Sequence, residues 1–567
     1  MSVLDEIVKN IRNKNFVDAL KLCENNIDDR NQHVIYNFKG IIFLSQNNFE
    51  QAEKYFLNSL KFNSVFVDPL KNLFILNDKK KNLKKIIEYA KKLYQINKLD
   101  PLFNFLLGYA LQQSGKLEES IEFYENSIKY NGKEKLKALN NIGIIYSKLN
   151  KVKKSNKYFL EANKISQNDK YVINNLLSNY IKLRDKKNTS FFFEKAKNLD
   201  QNFNVFLYNK AEYYLQNNQI ENAIDILQKN KNQLKFLIRL IKINLIIGKK
   251  DIAKELITEL EKIKTNDPEY FQFLGMRYLF QGKFDIGWKY YEYRFEKSKN
   301  ILNNIDEWKG ENLNKKSIVI YSEQGLGDAI QFSKFIIPLL KLSNNVVFLV
   351  QKKILKNFKI DIPNLKISSL ETFDNNSNFD FKISLGSLIK FFYKEKIDEN
   401  LLINKNNLLD LPIVIKKDKL NVGIAWSGSF NGPNEPYRSI PLEALNKIFS
   451  LDINFYCLQK EIWERDLFQF KKKKITDLGN YSLSEMVAII QNLDLVISSD
   501  TSILHLAASL NKETWGLLNL HPDWRWGAFN DMHPYNSLKL FQQKAFDKWD
   551  DVEQEIYENL KKKLKNT

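Results

Sequence analysis

The sequence predicts two architectures in series: an α-helical solenoid over residues 1–298, then an α/β half built of two Rossmann-like domains over residues 299–415 and 416–567. Three observations predict it. A glycine followed at fixed distances by large apolar, small and aromatic residues recurs through the first half. After Phe295, short apolar runs alternate with segments of helical periodicity, the pattern of parallel sheets. Two of those runs stop at Gly-, Ser- or Thr-containing turns of the kind that open a helix at the carboxyl edge of a sheet.

The repeat is read first. Gly40, Gly108, Gly143 and Gly275 each precede Phe43, Leu111, Tyr146 or Tyr278 by three positions. Twelve residues beyond each glycine stands a small residue (Ala52, Ser120, Ser155, Gly287), and four further on an aromatic (Phe56, Tyr124, Phe159, Tyr291). Ala211, Tyr214, Ala223 and Leu227 form a weaker copy. The period is about 34–35 residues, that of tetratricopeptide repeats. Small residues let two helices approach closely, and the aromatic fills the gap. A hairpin cannot bury its apolar face alone, so the units stack. Such arrays bind peptides or partner proteins.

Strand candidates in the second half are Ser317–Ser322, Val346–Gln351, Phe379–Leu385, Val422–Ser427, Phe455–Gln459, Leu493–Ser499 and Thr514–Leu518. Phe335–Leu342 reads as a core helix, too short to span a membrane. A polar linker is expected at Glu296–Asn304, and the two Rossmann-like halves divide near Asn406–Lys419.

Composition excludes several classes. The net charge of +20 comes from lysines spread along the chain, with only nine arginines, so it describes a solvated surface and predicts no nucleic-acid groove. Weak attraction to an anionic membrane surface is compatible with it. Cys23 and Cys457 sit in apolar segments and read as reduced core thiols. The four histidines include no pair at metal-ligand spacing, so no metal is expected. With no signal sequence and no apolar run of membrane length, the protein is expected to be soluble and cytoplasmic.

Candidate site residues gather at strand ends. Glu323-Gln324-Gly325-Leu-Gly327-Asp328 follows the first strand, and its glycines permit a tight turn with close backbone approach by a ligand. Asp328 there is either a helix cap or a general base. Ser427 and Arg438 lie in a Ser/Gly/Asn-rich loop after the first strand of the last domain; a guanidinium suits a diphosphate. Gln459 follows the next strand, where Rossmann units often reach a ribose. Asp500-Thr501-Ser502, with His505 one turn later, ends an apolar run and starts a helix, an arrangement suited to an anion. The same residues also serve as ordinary caps. Pro522-Asp-Trp524-Arg525-Trp526 reads either as a pocket wall or as packing.

Taken in order, the repeats, Trp308-x-Gly, Glu-Gln-Gly-Leu-Gly-Asp-Ala-Ile-Gln-Phe, Gly-Ile-Ala-Trp-Ser-Gly, Arg-Ser-Ile-Pro-Leu, Ser-Ser-Asp-Thr-Ser-Ile-Leu-His-Leu-Ala and Pro-Asp-Trp-Arg-Trp resemble bacterial tetratricopeptide-repeat glycosyltransferases. The second half resembles the ADP-heptose:lipopolysaccharide heptosyltransferases of glycosyltransferase family nine and, more distantly in layout, protein O-GlcNAc transferase. The resemblance implies a GT-B fold with a nucleotide-sugar donor in the last domain and the acceptor in the domain before it. It implies Asp328 as catalytic base and Asp500, Thr501, Ser502 and His505 at the donor diphosphate, with Ser427 and Arg438 in place of a Thr/Ser-Arg-x-x-Lys motif. Ser502 stands where heptosyltransferases more often carry glycine.

The expected function is therefore an inverting, metal-independent glycosyltransferase without a cofactor, acting on a protein or glycan acceptor recruited by the repeats. The competing reading is a non-catalytic scaffold, in which the repeats bind a partner and the α/β half is a remnant.

Overall fold

The computed structural model describes residues 3–566 except 29, 131, 298–301, 303, 359–361, 375–377, 396, 398–402, 404–414, 416–417, 430–436 and 528–534. The expected linker Glu296–Asn304 and division Asn406–Lys419 lie in large part outside these residues. By its packing the chain divides into two units, Met1–Gln219 and Ile220–Thr567.

The first unit is helical from Val3–Arg12 to Asn204–Gln216. Local chemistry starts and stops its helices. Asp100 accepts the Phe103 N–H ahead of helix Pro101–Gln113, which opens on proline where no amide partner is needed. Between the two helices of each hairpin the chain turns through a left-handed residue, at Lys14, Asn47, Lys81, Gly115, Asn150, Arg184 and Asn218 in this unit and at Gly248 and Gly282 in the second. Their φ angles lie between 54° and 84°, the usual stop of a helix.

The glycine–aromatic pairs do what their spacing predicts. A Cβ on Gly40 in helix Gln32–Ser45 would lie 2.5 Å from the Phe56 ring of helix Phe49–Phe62. Gly143 meets the Phe159 ring in the same way, and Gly108 meets Tyr124 at 3.1 Å. The fourth copy departs from the pattern. Gly275 is closed by the Tyr291 backbone, at 2.5 Å from its N, while the Tyr291 ring turns to Trp524 at 5.2 Å.

The second unit opens with five helices, from Ile220–Lys229 to Phe284–Tyr291, followed by two parallel sheets. The first holds β1 (Asp306–Glu307), β2 (Ser317–Tyr321), β3 (Asn345–Val350), β4 (Leu365–Ser369) and β5 (Phe381–Ser384), in the order β1-β5-β2-β3-β4. The second holds β6 (Asn421–Ala425), β7 (Asn454–Cys457), β8 (Ile475–Asp477), β9 (Leu495–Ser499), β10 (Thr514–Leu518) and β11 (Leu538–Gln542), in the order β11-β10-β9-β6-β7-β8. The second order is that of the dinucleotide-binding Rossmann sheet. The fold is thus a tetratricopeptide-like helical array followed by α/β domains.

Strands β4, β8 and β11, absent from the sequence reading, are edge strands of their sheets. The expected core helix Phe335–Leu342 is a 3₁₀ turn, Ser333–Phe335, and one short helix, Ile336–Leu339, containing Pro338. One core joins Trp288, Phe332, Phe348, Leu388, Ile489, Leu506 and Trp524. Another packs Trp426, Leu495 and Phe541 with Trp549 and Ile556 beside and within the last helix, Asp550–Asn566. Among the described residues no helix is long and apolar enough to cross a membrane.

Candidate functional site

Parallel strands send their carboxyl ends to one edge, and a reversal of strand order opens a crevice there. In the second sheet the reversal falls between β6 and β9, where Ala425 lies beside Ser498. A cavity of about 680 Å³ occupies this edge. It is lined by Ser427 and Arg438 after β6, Gln459 after β7, Asp500, Thr501, Ser502 and His505 after β9, and Asp523 and Arg525 after β10. Gly325, Gly327 and Asp328 from the end of β2 complete it. Its size is that of a small-molecule site.

Helix Ser502–Ser509 begins directly after β9, with Thr501 as N-cap residue, whose side chain makes no capping hydrogen bond. The Thr501 hydroxyl lies 3.0 Å from Ser498 Oγ instead. These amides and the helix dipole give the cavity an electropositive floor. His505 is fixed one turn in, with Nε2 3.5 Å from Asp500 Oδ1 and Nδ1 3.2 Å from the Tyr535 hydroxyl. Burial raises the Asp500 carboxyl, but His505, then Arg525 and Arg438, outweigh it and hold it down to about 2. Arg438 crosses the reversal and donates to the Asp500 carbonyl at 3.2 Å.

Gln459 lines the cavity, but its amide is committed to the protein. Its Oε1 accepts from Trp426 N at 2.8 Å and Ser427 N at 2.9 Å, and its Nε2 donates to Ser427 Oγ at 2.7 Å and the Glu461 carbonyl at 2.9 Å. Gln459 therefore shapes the loop that presents Ser427.

From the first sheet, helix Leu326–Phe332 runs into the same cavity. A Cβ on Gly327 would lie 3.0 Å from His505 Cδ2 and 3.5 Å from Ser502 Cα, so glycine lets the two helix starts touch. Asp328 caps its helix: Oδ2 accepts the Gly325 N–H at 3.0 Å. Its Oδ1 pairs with the Arg525 guanidinium, which also pairs with Asp523. Burial disfavours the Arg525 charge, but Asp328 and Asp523 raise its pKa well above the ordinary value. Burial, opposed by Arg525 and reinforced by Asp500, pushes the Asp523 carboxyl up.

Two candidate residues, Trp524 and Gln324, do not line the cavity. Trp524 is buried in the core, 5.7 Å from Trp288 and 5.2 Å from Tyr291, because its indole fills the joint between the last array helix and the sheets. Gln324 turns away from the cavity and donates to the Tyr291 hydroxyl at 2.8 Å. Sequence reasoning missed Asp523. It also missed Arg294, whose buried guanidinium pairs with Glu292 and Glu323 and donates to Ser384 and Ser387 at the strand reversal of the first sheet. The scarcity of arginine that singled out Arg438 would have flagged Arg294 too. Among the described residues no group of three or more His, Cys, Asp or Glu is arranged to hold a metal ion.

Residues 455–556 match the family model described as glycosyltransferase family 9 (heptosyltransferase). Residues 103–134 and 136–169 match a tetratricopeptide-repeat model. No curated protein matches the chain. Among solved structures, the chain is similar to YrrB, described as a TPR protein with an unusual peptide-binding site, at 14% identity over 34% of this chain and 97% of that one, with a TM-score of 0.29. It is also similar to MamA, at 17% identity over 30% and 93% with a TM-score of 0.28. PilW, a type IV pilus biogenesis factor, follows at 12% identity over 36% and 94% with a TM-score of 0.33. The chain thus carries a tetratricopeptide-repeat region and a family 9 glycosyltransferase segment.

Proposed function

We propose that this protein is an inverting, metal-independent glycosyltransferase that moves a sugar from a nucleoside-diphosphate donor to a protein or glycan acceptor recruited by the repeat array. The observation that carries the reading is the start of helix Ser502–Ser509 at the strand reversal, not capped by the Thr501 side chain and touching the turn that holds Asp328. The helix amides, the Thr501 and Ser502 hydroxyls and Arg438 bind the diphosphate. They oppose the negative charge that grows on it as it leaves. The acceptor oxygen attacks the anomeric carbon, and the bond from that carbon to the diphosphate oxygen breaks with its electron pair. The acceptor proton passes to Asp328. One displacement inverts the anomeric centre. The lysine-rich surface favours acidic acceptors and anionic lipid.

The test is single-turnover sugar transfer from UDP-, GDP- and ADP-sugars, with lysate proteins and glycans as acceptors. The wild type should transfer from at least one donor. Asp328→Asn should keep the fold, because the amide is nearly isosteric and its oxygen can still accept the Gly325 N–H. It should leave donor binding no weaker and lower transfer by about 10²–10⁴-fold. Equal rates would remove Asp328 as base; no transfer from any donor would contradict the enzyme reading.

A further inference from the structure

Both oxygens of Asp328 are occupied: Oδ2 by the Gly325 N–H and Oδ1 by Arg525. An oxygen already held by a guanidinium is not open to an incoming hydroxyl. If Asp328 is the base, something must take Arg525 away from it. The cavity itself supplies the means. Asp328, Asp500 and Asp523 gather around Arg525, so a diphosphate entering beside them is favoured when this guanidinium turns toward it. Arg525 spans Asp523, on its own loop, and Asp328, on the facing domain. Its Nε is buried with no hydrogen-bond partner. The guanidinium thus keeps a donor unused, and phosphate oxygens are bidentate acceptors for such a fork. The reach is short, because Gly327, next to Asp328 in the chain, packs on Ser502 at the start of the diphosphate helix.

We propose that Arg525 is an exchange residue: it holds Asp328 in the ligand-free protein and leaves it for the donor diphosphate, so that the carboxylate becomes open to the acceptor only once donor is bound. This rests on the glycosyltransferase reading above. It makes binding ordered, donor before acceptor. Asp523 stays with Arg525 through the exchange and guides its swing, being two residues away on the same turn.

The experiment is a crystal structure of the full chain with UDP, GDP or ADP, whichever raises its melting temperature, together with calorimetry of Arg525→Gln and Arg525→Lys. The expected structure has the nucleotide phosphates at the start of Ser502–Ser509, Arg525 within hydrogen-bonding distance of them, and Oδ1 of Asp328 free of it. Arg525→Gln should weaken nucleotide binding about 10- to 100-fold, with Arg525→Lys between it and the wild type. Phosphates in place with Arg525 still on Asp328, or unchanged affinity in a folded Arg525→Gln protein, would overturn the exchange alone. If no diphosphate binds the wild type, the glycosyltransferase reading fails and the exchange fails with it.

Discussion

Phe56 and Phe159 are fully buried, each pressed on a glycine of the preceding helix. Truncation leaves a cavity that a glycine cannot fill, so Phe159→Ala or Phe56→Ala should each cost roughly 3–5 kcal/mol of local stability. Hydrogen exchange of the helices on either side checks it. Unchanged protection in both variants would contradict the repeat register. These pairs were legible in the sequence because both partners lie in one hairpin, at a fixed spacing. Asp500–His505 was legible for the same reason, since strand, turn and helix are consecutive. Gln459 and Trp524 were harder to read. Gln459 owes its role to Trp426 and Ser427, and Trp524 to Trp288 and Tyr291, and no local pattern links those positions. Of the two roles its position allowed, Asp328 shows the helix cap on one oxygen, while its other oxygen pairs with Arg525 across the cavity.

At the scale of elements, the central strands announced themselves as continuous apolar runs, because both of their faces are covered. The edge strands β4, β8 and β11 keep one side in water, and their sequences, such as Leu-Lys-Leu-Phe-Gln, break the run. The loop after β10 is anchored by the array. Arg277 of helix Pro268–Phe280 donates to Nε2 of His521 at 3.0 Å, and Leu520 packs against Gly248. Arginine can only donate, so Nε2 must accept, which a neutral imidazole allows. Burial first, then Arg277 and Lys250, push His521 down to about 4. An unfolded imidazole titrates near its ordinary value, so between about pH 6.5 and 4 the unfolded chain holds the extra proton. Stability should therefore be fully present above that window and fall as pH drops through it. Melting temperatures at pH 7.5 and 5 test this, with the wild type expected to lose more than His521→Gln. Equal losses would contradict a neutral, half-buried His521.

Across the whole molecule, the second unit joins the last two array helices to both sheets through one shared core, and the loop bearing Asp523 and Arg525 leaves that core to line the cavity. The order of sheets and repeats was readable because each is a long periodic pattern. The meeting of Gly327 with Ser502 and of Arg525 with Asp328 was not, since it depends on how two domains face each other. The central claim is that the cavity binds a nucleoside diphosphate at the start of Ser502–Ser509. Calorimetry of UDP, GDP and ADP against the wild type and Arg438→Ala tests it most directly. At least one nucleotide should bind the wild type, and Arg438→Ala should weaken it by roughly 1.5–3 kcal/mol, the range for a charge-assisted hydrogen bond. Binding that is absent from the wild type, or equally strong in the variant, would contradict it.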